Sequence, residues 1–160
     1  ISLAAVDTDN ITANLIPYAS SGACKIHSLA STDGLVIFDS RVAAMLGECI
    51  NEFLRRRTMN QIPDPLKILV ELTHRGTRQR RPRPLNNGSN HRGFVRNYRW
   101  IECQVRASWI FEEALVRNPA VFAGHPLPER MHRLEAAAFM MGAYLEPGPF
   151  NGRCFNFDRV

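Results

Sequence analysis

A chain of 160 residues that is 45% hydrophobic and carries a net charge of +5 is long enough to bury one core and too apolar for disorder to be the default. No apolar run approaches the roughly 20 residues that span a bilayer, and no signal-peptide pattern opens the chain. The expectation is one compact domain over residues 1–160, monomeric, cytoplasmic and off the membrane.

In chain order, "ISLAAVDTDNITANLIPYAS" predicts a helix from about Asn10, capped by Asp9 or Asn10 and ended or kinked at Pro17. Ser20, Ser21 and Gly22 read as a turn, and Ala23 to Ala30 as a short helix. "STDG" breaks the chain, and "LVIF" is extended or irregular. "DSRVAAMLGECINEFLRRR" is the clearest helix. Val42, Met45, Leu46, Cys49, Ile50, Phe53 and Leu54 recur at the spacing of a buried stripe, Asp39 or Ser40 caps it, and Arg55 to Arg57 suit its C-terminal end.

"PDPLKILVEL" predicts a short helix begun at Pro63 or Pro65. A long basic loop follows over about residues 74–95, with Pro82, Pro84 and Asn87-Gly88. Helix resumes near Arg96, with Ile101, Val105, Ile110 and Leu115 as its apolar stripe. A last helix runs from about Pro128 to Leu145, and a tail with Phe150, Phe155 and Phe157 is expected to pack back on the body. The fold class is mainly α. The chain opens on Ile1 rather than Met, which leaves room for a preceding segment that completes the fold.

Cys24, Cys49, Cys103 and Cys154 are far apart and read as reduced thiols, three of them on apolar helix faces. Cys24 and His27 would supply half a zinc site, but a structural zinc wants four ligands and no second pair exists. Neither a metal nor a cofactor is expected.

Charge is concentrated. No acid lies between Glu71 and Glu102, an interval that holds Arg75, Arg78, Arg80, Arg81, Arg83, Arg92, Arg96 and Arg99. Guanidinium forks match phosphate oxygens bidentately, so arginine dominance points to nucleic acid, against the plainer reading of a solvated loop.

The remaining question is why Asp39 follows the apolar run Leu35 to Phe38 at the head of a helix, with Lys25 on the helix before it. Capping alone would explain such an aspartate. The pattern of a glycine-containing turn, "GACKIH", a short apolar connector and "IFDSRVAAML" also resembles the helix-hairpin-helix DNA glycosylase superfamily, in its 8-oxoguanine glycosylase-like branch. The resemblance covers roughly residues 18 to 55. It is a pared-down version: the turn has one glycine where the family commonly has two, the connector is shorter, and the iron–sulfur cysteines of part of the superfamily are absent.

The resemblance implies a reduced helix-hairpin-helix fold that binds double-stranded DNA with one nucleotide flipped. Asp39 would stabilise the cationic sugar of the transition state, or position and deprotonate a nucleophile. Lys25 would either attack C1′, adding lyase activity, or contact a phosphate. Arg41 is expected to hold a phosphate or act on the lysine. Tyr98 and Trp100 are candidates for a base pocket, with core packing as the plainer role, and Phe94 or Asn87 for a wedge filling the gap left by the extruded base. Trp100 and Trp109, nine residues apart, fall on nearly opposite helix faces. Glu102 and Arg106 read as a helix pair, Glu135 either pairs with Arg106 or lines the pocket, and His132 is a core or rim residue. An oxidised purine is the substrate the resemblance implies; a modified pyrimidine of viral DNA, in a defence role, is equally compatible. The competing readings are a non-catalytic nucleic-acid-binding module and a protein-interaction domain with an acidic partner.

Overall fold

The computed structural model describes residues 19–71 and 98–143; the side chains of Val70, Glu71, Tyr98 and Ala143 are not among those described. The helix expected near Asn10, the basic loop and the phenylalanine-rich tail lie outside these residues. The described residues form five helices: α1 (Ser21–Ala30), α2 (Ser40–Arg56), α3 (Asp64–Glu71), α4 (Tyr98–Arg117) and α5 (Leu127–Ala143), and no strand. The mainly-α expectation holds.

The start of α1 has a local cause. α1 begins two residues earlier than the turn reading implied, because Ser20 is an extended N-cap whose Oγ accepts from Ala23 N at 3.2 Å. Ser21 and Gly22 are therefore already helical. α1 ends at Ser31, whose Oγ accepts from Asp33 N and Leu35 N, and Gly34 then turns the chain at φ +79°. A side chain at Gly34 would also meet the Pro128 backbone of α5 at 3.0 Å. α2 closes in a Schellman arrangement: Met59 N donates to Leu54 O and Thr58 N to Arg55 O, with Thr58 in the left-handed region at φ +51°.

α2 packs against α5 and α3, while α4 packs against α5, α3 and α1. The main core gathers Val36, Phe38, Val42, Leu46, Ile50 and Leu54 with Leu69, Ala107, Phe111, Leu115, Met131 and Ala138. The α2 stripe is as expected except that Phe53 is exposed and Cys49 only half-buried. The buried face is broader at the head of α2, from Val42 to Glu48; α2 packs against α5, and Val36 and Phe38 of the connector share its core.

The α4 stripe is displaced from the expected one. Cys103, Gln104, Ala107, Ser108, Phe111 and Leu115 face inward, Val105 and Ile110 are only half-buried, and Ile101 joins a second cluster with Ala19 and Cys24. Small residues on the buried face let α4 approach its neighbours closely. A hydropathy pattern undervalues such residues.

Arg130 closes the far end of α4. Its guanidinium donates to the carbonyls of Leu115, Asn118, Pro119 and Val121 at 2.9–3.3 Å. These include carbonyls that a helix end leaves without intrahelical partners. Arg130→Ala is expected to lower the unfolding free energy by roughly 1.5–3 kcal/mol, read as a shift in urea midpoint. Arg130→Lys should recover little, because a single ammonium cannot fork across four carbonyls.

Candidate functional site

Asp39 caps α2. It is 8% exposed, and its Oδ1 accepts from Arg41 N at 2.8 Å and from Val42 N at 3.1 Å. Between Asp39 and Ser40, the two caps the sequence allowed, Asp39 takes the role because its own backbone is extended and Ser40 is already helical. The connector Leu35 to Phe38 delivers it. That segment has no helical or sheet hydrogen bonding of its own, so side chains from other elements hold its backbone. Val36 N donates to Ser108 Oγ at 3.0 Å, and Ile37 N donates to Glu135 Oε2 at 3.0 Å.

Gln104 ties the connector to α1. Fully buried, its Nε2 donates to Cys24 O at 2.7 Å and to Val36 O at 2.9 Å. Its Oε1 has no hydrogen-bond partner among the described residues. A buried unpaired acceptor costs about 1–3 kcal/mol, so the two donated bonds that join α1 to the connector must offset that cost. Cys24 is the residue before Lys25, and its thiol lies within electrostatic reach of Asp39 and of the Phe38 backbone. The connector that leads into α2 thus lies beside the middle of α1. Lys25 itself is exposed, not buried.

α5 encloses the other side of Asp39. The Arg41 guanidinium lies 4.3 Å over the Phe139 ring, a cation–π contact. Gly142 approaches so closely that an added Cβ would lie 1.8 Å from the Arg41 carbonyl oxygen. Glu135, expected either beside Arg106 or lining the pocket, instead holds the connector, with His132 Nδ1 at 3.5 Å from the same oxygen. Arg106 bonds Glu102, the expected helix pair, and the Pro65 carbonyl.

Trp100 is half-buried and packs edge-on against Phe38, ring centroids 6.1 Å apart. This contact gives it a packing role at the seam between the two apolar clusters. Arg78, Arg80, Arg81, Arg83, Arg92, Arg96, Asn87 and Phe94 lie outside the described residues, as does the Tyr98 side chain. The sequence reading missed Gln104, Ser108 and Gly142. Two polar residues four apart on the buried face of an otherwise apolar helix were the available signal for the first two.

Cys24 and Cys103 are fully buried and Cys49 half-buried, and all three thiols are raised. Burial pushes Cys24 up to about 12, opposed by backbone hydrogen bonding and reinforced by Asp39. Burial likewise pushes Cys49 up to about 12, with Glu48 and Glu52 adding to it. Cys103 is raised well above the ordinary range, first by burial and then by Glu102. An unfolded chain ionises its thiols near pH ~8.5. Between that pH and about 12, the unfolded state binds fewer protons than the folded one, so stability falls as pH rises. The thiol contribution is fully present below pH ~8.5 and declines above it by up to about 1.4 kcal/mol per pH unit for each thiol. The urea midpoint should therefore be level from pH 7 to 8 and drop by pH 10, on the order of the unfolded thiol range. Cys24→Ala, which removes one of the three raised thiols, should lessen that drop without abolishing it. A midpoint independent of pH in both proteins would contradict the burial.

No described helix is long and apolar enough to cross a membrane. No known protein family, curated protein or solved structure matches this chain.

Proposed function

We propose that this protein is a DNA glycosylase that cleaves the N-glycosidic bond of a damaged or modified base, with Asp39 as its central carboxylate. The observation that carries the reading is the placement of Asp39. It is a nearly buried carboxylate with a fixed orientation, at the head of α2, at the end of a connector that Gln104 ties to the helix bearing Lys25. Departure of the base with the bond's electron pair leaves positive charge on the sugar, and a preorganised carboxylate stabilises that charge most where water is excluded. Water then adds at C1′ and loses its proton to Asp39. If Lys25 attacks instead, a Schiff base forms and strand cleavage follows. The basic segment and Arg41 supply phosphate contacts on duplex DNA, with the target nucleotide flipped out.

The test is direct. Duplexes carrying an oxidised purine or a modified pyrimidine are incubated with the protein and treated with alkali. Strand breaks at the modified position are expected, and no release from any of these substrates would sink the proposal. Borohydride should trap a covalent adduct that Lys25→Ala abolishes if Lys25 is the nucleophile.

A second reading, a non-catalytic nucleic-acid-binding module, is favoured by the complete capping role of Asp39 and the exposure of Lys25. It predicts binding without base release. Under both readings, replacing Arg78, Arg80, Arg81 and Arg83 with Gln should reduce the log–log salt slope of duplex binding by roughly 3 to 4. An unchanged slope would remove that segment from the interface.

A further inference from the structure

We propose that Glu135 is a positioning residue for Asp39, acting through the Ile37 amide. The inference rests on the glycosylase reading only for its rate measurement. The connector that delivers Asp39 makes no helix or sheet hydrogen bonds, so its path depends on side chains that grip its backbone. Glu135 Oε2 takes the N–H two residues before Asp39, at 3.0 Å. The Ser108 hydroxyl, by contrast, holds Val36, one residue further away.

Glu135 is 9% exposed, and burying a carboxylate is costly where a neutral acceptor would make the same bond. Its place on α5 matters. Glu135, Phe139 and Gly142 follow one another at helical spacing. They meet Ile37, the Arg41 guanidinium and the Arg41 backbone in turn. One face of α5 therefore grips the chain on both sides of Asp39, and Glu135 is its only polar grip before the aspartate among the described residues. Loss of that grip frees the connector and with it the orientation of the carboxylate that Arg41 N and Val42 N hold.

The experiment compares Glu135→Leu, Glu135→Ala and Glu135→Gln. Removing the acceptor should lower single-turnover base release by roughly 10- to 100-fold, the order expected for a misplacement near 1 Å, with duplex affinity unchanged. Glu135→Gln keeps an oxygen that can accept from Ile37 N and should restore most of the rate. Amide exchange supplies a second readout that needs no activity. Ile37, Arg41 and Val42 should lose protection in the Leu and Ala variants while the middle of α4 keeps its protection. Glu135→Ala serves if the bulk of Leu prevents folding. Unchanged exchange at Arg41 and Val42 in a folded Leu or Ala variant overturns the proposal. So does Glu135→Gln as defective as Glu135→Leu, because the charge rather than the bond would then matter. If the wild-type protein releases no base, the glycosylase reading fails, and the exchange comparison still decides whether Glu135 positions Asp39.

Discussion

Asp39→Asn is expected to lower base release by at least about 100-fold, the equivalent of roughly 2.7 kcal/mol or more in the barrier. The fold should survive, because the asparagine side-chain oxygen can accept from Arg41 N and Val42 N as Oδ1 does now, and asparagine ranks with aspartate as an N-cap. The substitution therefore separates charge from capping. Asp39→Ala removes both and should also destabilise α2 by about 1 kcal/mol. The measurement is a single-turnover rate on modified duplex, beside a urea melt of each variant. A folded Asp39→Asn protein with near wild-type rate would leave Asp39 a cap and nothing more.

Gly142→Ala is expected to be the most damaging single-methyl change among the described residues. The new Cβ would lie 1.8 Å from Arg41 O, 2.6 Å from its carbonyl carbon and 3.0 Å from its Cα. All three are backbone atoms, so no side chain can rotate away, and α5 and the head of α2 must separate. Overpacking of this kind costs at the upper end of its usual range, about 3 kcal/mol, which for a domain near this size lowers Tm by roughly 6–12 °C. Base release should fall further than stability alone explains, because Arg41 N is one of the two donors that orient Asp39. A thermal melt by circular dichroism checks the first part and rates well below Tm check the second. An unchanged Tm would mean that α5 does not approach α2 in this way.

The two changes test different physical terms. Asp39→Asn removes charge from an intact frame, while Gly142→Ala moves the frame and leaves the charge. Glu135→Leu belongs with the second kind, since it loosens the segment before Asp39 where Gly142→Ala displaces the segment after it.

The sequence by itself determined the described helices and narrowed the cap of α2 to Asp39 or Ser40. The apolar recurrence from Val42 to Leu54 gave α2 its length, and an aspartate at its head had to meet orphan N–H groups whatever else it did. Both depend on residues within a turn or two of one another. What only the tertiary structure decided was who touches the connector. Glu135 lies 98 positions from Ile37, Ser108 lies 72 from Val36, and Gln104 lies 80 from Cys24. No local spacing encodes such pairs. The same limit misplaced the α4 stripe. Cys103, Ala107 and Ser108 are weak hydropathy signals, and they are buried because small side chains admit a neighbouring helix. Glu135 shows the limit most plainly: its neighbours in sequence, Ala136 to Met140, gave no sign that its partner would be the backbone two residues before Asp39.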